Sequence, residues 1–277
     1  MHAAGITPTE FTWNSTFTTA DKKDRLPAIP GFEVAGMVSK VAADLSDPAV
    51  GDEVYGLLNF WRNGSAAEYV AVKASDMAPK PKSLDFVKAA AIPLSGLTAW
   101  QALFDHAKLS SGQVVLIHGA GGGVGTFAVQ FAKNRGIHVV ATCSSSKANL
   151  VHELGAEEVV DYNKTRFEDV VKGVDAVLDT VGGDTLDRSW KVIRKGGTLV
   201  TIVGDAPEDK AAAFGIRGVS MLVEPNRAEL VEIGRLVDQK KVRPIVSGVF
   251  PLAEARRAYE SGLSGHSKGK IVLKVKS

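Results

Sequence analysis

Apolar and polar positions follow two different rhythms along this chain, and the change near residue 110 divides it. Beyond that point, short apolar runs alternate with segments of helical period, the pattern of β-α units feeding a parallel sheet. Six runs predict strands: "QVVLIH", "IHVVATC", "EEVVDY", "VDAVLDTVG", "TLVTIVG" and "GVSMLVEP". After the first of them, "VGTFAVQFAKNRG" predicts a helix with Val124, Phe127, Ala128 and Phe131 on one face and Gly136 as its stop. "SKANLVHELG" follows the second strand as a short helix. "TRFEDVVKG" and "TLDRSWKVIRKGG" lead into the fourth and fifth strands as helical connections, and "NRAELVEIGRLVDQKK" is the last helix of the series.

The first ninety residues read differently. Glycine and proline punctuate the short strands "PGFEVAGMVSKVA", "GDEVYGLL" and "AAEYVAVK", which predicts an irregular antiparallel β domain. From about Pro244 the tail holds a short helix and a final strand that returns to this first domain. The fold class is therefore α/β. A β domain covers residues 1–95 and is completed by 245–277, and a six-stranded doubly wound parallel sheet covers 96–244.

Composition changes this picture little. With 277 residues, 45% of them hydrophobic and 23% charged, the chain can bury a large core in about two domains. A net charge of +2 provides no field for nucleic-acid binding by counterion release. The lysines of "SKGKIVLKVKS" alternate with Ile271, Leu273 and Val275, as in a strand with one wet face. Cys143 is the only cysteine, so neither an internal disulfide nor a cluster of thiolate zinc ligands can be built. No apolar run approaches the ~18 residues of a membrane span, and "MHAAGITPTEFTW" has no signal core. A soluble cytoplasmic protein without nucleic-acid or membrane partners is expected.

The candidate chemistry starts at "HGAGGGVG", residues 118–125, where five glycines occupy eight positions after an apolar strand. Aligned on strand and helix, the stretch reads Ala120-x-Gly122-x-x-Gly125, a dinucleotide-binding fingerprint with alanine in place of its first glycine. Gly122 would let the backbone approach a pyrophosphate, and Gly125 would let the helix pack close to the sheet. The N–H groups at the helix start would bind the phosphate charge. The end of the second strand selects the dinucleotide. An NAD site carries an acid there, but this chain has Thr142, Cys143, Ser144, Ser145, Ser146 and Lys147, with no acid before Glu153. Hydroxyls and one ammonium suit a 2′-phosphate, so NADPH is the expected cofactor. A helix N-cap at Ser144 and a solvated Lys147 are the plainer readings, and both are compatible with phosphate binding.

The whole chain resembles the medium-chain dehydrogenase/reductase superfamily, in its zinc-independent quinone oxidoreductase branch. The resemblance rests on "HAAGITPTEF", "PGFEVAG" at 30–36, "GDEVYG" at 51–56, "AAEYVAV" at 66–72, "IPLSGLTAWQAL" at 92–103, the glycine loop, "DTVGGDT" at 179–185 and "GKIVLKV" at 269–275. It implies a GroES-like β domain formed by both chain ends around a Rossmann domain, and hydride transfer from NADPH to a quinone or an α,β-unsaturated carbonyl. Metal-dependent relatives carry histidine where this chain has Phe32, so no metal is expected. The six histidines, His2, His106, His118, His138, His152 and His266, show no pairing with ligand spacing.

By the same resemblance Thr98 would contact the nicotinamide end, Gly122, Gly123 and Val124 the pyrophosphate, and Ser144, Lys147 and Tyr162 the 2′-phosphate side. Gly204 would lie near the nicotinamide ribose. Tyr55 and Trp61 would line the substrate cleft, with Tyr55 as a proton donor, against the plainer reading of two buried aromatics. The sequence departs from the family at Thr7, Pro8, Thr9 and Glu10, where relatives show Asn-Pro-x-Asp. Thr7 thus replaces the asparagine that helps hold the nicotinamide. Met1 also falls after the family's first strands, so an unpaired sheet edge is expected: either the chain is a shortened form or contacts between copies cover the gap. A homodimer is implied. An enoyl reductase of a lipid or polyketide intermediate is the alternative within the same chemistry, and a catalytically silent NADPH-binding protein is the alternative from another class.

Overall fold

Twelve strands are found among the residues described by the computed structural model, 1–265 and 267–276. They are β1 (Ala3–Ile6), β2 (Glu33–Met37), β3 (Glu53–Leu57), β4 (Met77–Pro79), β5 (Val114–Ile117), β6 (His138–Cys143), β7 (Glu158–Asp161), β8 (Val174–Asp179), β9 (Ile193–Thr201), β10 (Arg217–Ser220), β11 (Val246–Pro251) and β12 (Lys270–Lys274). The chain divides into two units, Met1–Leu97 with Glu224–Ser277, and Thr98–Val223. His266 lies outside the described residues.

In the second unit the six apolar runs form one parallel sheet in the order β10-β9-β8-β5-β6-β7. Val115, Leu116 and Ile117 of β5 are fully buried, because helices cover both faces of such a sheet and an unbroken apolar run satisfies both. Strand order reverses between β5 and β8, the position where open α/β sheets leave a crevice at their carboxyl ends. The helix Gly123–Asn134 packs Phe127, Ala128 and Phe131 inward. Trp190, Phe167, Leu199 and Val177 share the core on the sheet.

The connection "TLDRSWKVIRKGG" is only partly helical. Its helix spans Gly183–Ser189, a 3-10 turn spans Trp190–Val192, and β9 begins at Ile193. Trp190, Val192 and Ile193 are all buried, and Ile193 is already in register with Val174, so burial on the sheet overrides the helical spacing.

The first unit holds a mostly antiparallel sheet in the order β11-β12-β1-β2-β3-β4. β12 pairs with β1 from Ala3↔Lys274 to Ile6↔Ile271, which joins the two chain ends as the sequence implied. β1 therefore has neighbours on both sides, although its ladder to β2 is a single pair, Ala3↔Ala35. The predicted strand "AAEYVAVK" is not one. Residues 66–73 follow β3 without joining a ladder, while Val70 and Val72 still pack on Val34, Val54 and Met77. Alternation sets which side chains turn inward, but a strand also needs a neighbour for its backbone.

The helix Arg227–Asp238 falls in the first unit, whereas the sequence boundaries of 96–244 placed it with the parallel sheet. Its partners explain this. Tyr55 Oη donates to Leu230 O at 2.5 Å, Asp238 accepts from the Lys82 and Ser83 amides, and Arg227 pairs with Asp47 at 2.7 Å. No helix among the described residues is long and apolar enough to cross a membrane.

Candidate cofactor site

The glycine loop turns immediately after β5. Ala120 N donates to Thr142 O at 3.1 Å and Gly122 N to Gly119 O at 2.9 Å, which folds the loop onto the end of β6. The glycines then differ in what constrains them. A Cβ on Gly125 would lie 2.4 Å from Gly119 O and 2.5 Å from Ala120 Cα, so close packing of helix on strand requires glycine there. A Cβ on Gly122 would meet only Gly119 O, at 3.3 Å. That contact is tight but far less severe than the clashes at Gly125, and the space beside Gly122 opens into a cavity. Gly122 is also the N-cap of the helix Gly123–Asn134, and no side chain caps that end.

The cavity has a volume of about 750 Å³, within the range of cofactor sites. Gly119, Gly121 and Gly122 form one side, and Thr142, Cys143 and Ser144 at the end of β6 form the next. Lys147 lays its aliphatic stem across the loop, since a Cβ on Gly121 would come within 2.6 Å of its Cδ. Ser144 sits at the N-cap position of the helix Ser145–Leu154, yet its hydroxyl does not cap; it pairs with Ser146 Oγ at 3.0 Å. Tyr162, 59% exposed, and Thr165 and Arg166 beside it line the far wall. Asp179 shapes the turn after β8 by accepting from Thr201 Oγ1 at 2.8 Å and from the Val181 and Gly182 amides.

His118 forms part of the floor. Ser189 Oγ gives its proton to Thr185 O at 2.6 Å, so it accepts from His118 Nε2 at 3.0 Å. The imidazole is thereby assigned the Nε2–H tautomer, and Nδ1 accepts from Thr142 Oγ1 at 2.9 Å. Burial pushes its pKa down to about 4, so it is neutral near pH 7 and both nitrogens serve the scaffold. Behind the far wall, Glu168 takes Arg166 at 2.7 Å and Arg188 at 2.6 Å, and Arg188 also holds Asp184 at 2.8 Å. Burial opposes the Glu168 charge, but a backbone hydrogen bond and the two guanidiniums outweigh it and hold the carboxyl below its ordinary range.

Of the expected cofactor residues, Gly122, Ser144, Lys147 and Tyr162 line this one cavity, and Gly123, Val124 and Gly125 begin the helix beside it. Ala120 is fully buried in the turn. Thr98 is buried in the helix Pro93–Trp100, and Gly204 follows β9, where a Cβ would press on Leu186 Cδ2 at 2.8 Å; neither lines the cavity. Thr7 lies in the first unit, where its hydroxyl accepts from Lys270 Nζ at 3.3 Å. Tyr55 is corrected: its side chain is 0% exposed and its hydroxyl is committed to Leu230 O, so it is a core residue with no proton to offer a substrate. Trp61 is 41% exposed.

Sequence reasoning missed Arg166, Thr165 and the Glu168–Arg188 pair. Their signal was position: "TRFED" leaves the end of the third parallel strand, on the edge where such sheets bind ligands. It also missed Asp161, which is in register with Cys143. That carboxylate is turned to the Ser145 hydroxyl and accepts from Asn163 N at 3.0 Å.

Two family descriptions match the chain: "Alcohol dehydrogenase GroES-like domain" over residues 1–82 and "Zinc-binding dehydrogenase" over residues 154–273. The chain is similar to the mitochondrial NAD(P)H oxidoreductase RTN4IP1 of Danio rerio, with 33% identity over 99% of this chain and 82% of that protein. It is 35% identical to the chloroplastic NADPH-dependent alkenal/one oxidoreductase of Arabidopsis thaliana, over 90% of this chain and 64% of that one. Among solved structures, the quinone oxidoreductase from Coxiella burnetii superposes with a TM-score of 0.88 at 32% identity, covering 99% of this chain and 89% of that one.

Proposed function

Because the chain belongs to the medium-chain dehydrogenase/reductase superfamily, in its quinone oxidoreductase-like branch, we propose that it is an NADPH-dependent reductase of quinones or α,β-unsaturated carbonyls that works without zinc. The observation that carries the reading is the cavity joining a glycine left open to a ligand, Gly122, with Ser144, Lys147 and Tyr162. These residues fit the cofactor: open backbone for the pyrophosphate, and hydroxyls with an ammonium for the 2′-phosphate. The names of the Danio and Arabidopsis relatives, NAD(P)H and NADPH oxidoreductases, support the same cofactor class.

When bound, the nicotinamide supplies the hydride. The chain's own part is to bind and orient. The uncapped helix end and Gly122 receive the diphosphate, and Lys147 with the Ser144–Ser146 pair receives the 2′-phosphate. The Tyr55 hydroxyl and both His118 nitrogens are committed to protein partners, so neither residue supplies the proton that completes reduction, and this reading assigns that proton to water. The donor set does not suit zinc. The one thiol, Cys143, is buried at the end of β6, and Phe32 is packed between Trp13 and Phe60 at ring distances of 5.9 and 4.8 Å. Without a Lewis acid, an electron-poor acceptor is a better substrate than an alcohol.

The test is NADPH oxidation, followed by absorbance, with ortho-quinones and α,β-unsaturated ketones, NADH being run in parallel. Turnover preferring NADPH supports the proposal; tight NADPH binding without turnover on the panel favours the silent binding protein. The proposal includes a cytoplasmic homodimer. The Danio relative is named mitochondrial and the Arabidopsis one chloroplastic, so fractionation of cells and sedimentation of the purified protein are the checks.

A further inference from the structure

We propose that Arg166 is a second cationic ligand of the cofactor's 2′-phosphate, held ready by Glu168 and released from it when the phosphate enters. The inference rests on the NADPH reading above and deepens it. It starts from charge at the cavity wall. Lys147, Arg166 and Arg188 line the cavity, opposed there by Asp184, with Glu168 set behind them. Arg188 is fixed: it is paired with both Glu168 and Asp184 and lies over the Phe167 ring at 4.9 Å. Arg166 is held differently. Its side chain is 70% exposed, and both its Nε and Nη2 contacts go to the same oxygen, Glu168 Oε1, at 2.8 and 2.7 Å.

The cationic half of this pair is open to solvent while Glu168 is buried, so the guanidinium can turn to another anion and stay hydrated as it does so. Glu168 can also spare it, because its other oxygen remains paired with Arg188. A phosphate monoester carries nearly two negative charges and three acceptor oxygens, so it outcompetes a carboxylate for a guanidinium fork. A ribose hydroxyl does not. The exchange therefore favours NADPH over NADH without any contact to the nicotinamide end. It also offsets the negative charge of Asp161, which is in register with the cavity-lining Cys143.

The experiment measures binding, independent of turnover, with two probes that differ only at the 2′ position: adenosine 2′,5′-bisphosphate and adenosine 5′-monophosphate. Titration calorimetry at fixed ionic strength compares the wild type with Arg166→Gln, Arg166→Lys and Glu168→Gln, each first checked for folding by circular dichroism. Arg166→Gln is expected to weaken the bisphosphate about tenfold and leave the monophosphate within about twofold. Arg166→Lys should recover part of the loss, and Glu168→Gln should tighten the bisphosphate selectively. Should Glu168→Gln fail to fold, the two Arg166 variants decide alone. Equal losses for both probes, or no loss for the bisphosphate, overturn the assignment while leaving the cofactor reading intact. If the wild-type protein binds neither probe, nor NADPH or NADH, the cofactor reading itself fails and takes the assignment with it.

Discussion

Glycine is used in two physically separate ways within four residues of the loop. Gly125 is demanded by the protein, because a Cβ there would collide with Gly119 O and Ala120 Cα. Gly122 is left open, with its single near contact at 3.3 Å. The two are therefore separable by experiment. Gly125→Ala should cost about 1–3 kcal/mol of stability by overpacking and lower the melting temperature. Gly122→Val should cost about 1 kcal/mol as a poorer N-cap, yet fold, and lose affinity for NADPH and NADH alike in titration; retained affinity would overturn the pyrophosphate assignment. Lys147 makes a third residue-scale case. Reversing its charge with Lys147→Glu should weaken NADPH far more than NADH, by about tenfold or more, and an equal loss would remove Lys147 from the 2′-phosphate.

The helix Arg227–Asp238 shows how an element's sequence position and its structural allegiance can part. It continues the β-α rhythm of the parallel sheet, yet its hydrogen bonds run to β3 and to residues 82–83 of the first unit. Asn226 caps it by accepting from Glu229 N at 3.2 Å, and Asn226→Ala should cost about 1 kcal/mol in urea unfolding. Tyr55→Phe removes the bond to Leu230 O and should also cost about 1 kcal/mol. A structural tyrosine predicts unchanged kcat and an unchanged pH profile in that variant, whereas a proton donor would lower kcat sharply.

At the scale of the whole molecule, two buried ionisable groups pull stability in opposite directions with pH. Glu10 is 1% exposed and accepts from Tyr259 Oη; burial, opposed by that bond and by Lys270, pushes it from 4.5 up to about 7. Between these values the folded chain keeps a proton that the unfolded chain has released, so stability falls as pH rises from about 4.5 to 7. His118 is the reverse case. Its pKa drops from 6.5 to about 4, the unfolded chain holds the extra proton, and stability is lost as pH falls through that window. Each contribution is on the order of 3 kcal/mol. They oppose each other between pH 4.5 and 6.5, giving a shallow wild-type profile in urea unfolding. Glu10→Gln keeps an acceptor for Tyr259 without the titration, and its stability should rise clearly with pH across the same range.

Six parallel strands and the glycine turn were legible in the sequence because each depends on local information, whereas the return of β12 to β1, between opposite ends of the chain, was implied by the family resemblance. Apolar runs record burial on both faces, and Gly125 in Ala120-x-Gly122-x-x-Gly125 records a backbone that must pass close to other atoms. What the pattern could not carry was the identity of distant partners. Residues 66–73 alternate like a strand, but whether they become one depends on a neighbouring backbone that no local spacing encodes. Tyr55 reads equally well as a core aromatic or a catalytic one until its hydroxyl is found on Leu230 O, far along the chain. Arg166 carries no motif, and only the fold brings it to the cavity that Ser144 and Lys147 also line, with Glu168 and Arg188 behind it. The sequence by itself determined which backbone segments form the glycine turn and the parallel sheet, since periodicity and steric demand are properties of neighbouring residues. Tertiary structure alone decided which side chains remain available for chemistry, since availability depends on partners remote in sequence that compete for the same proton or charge.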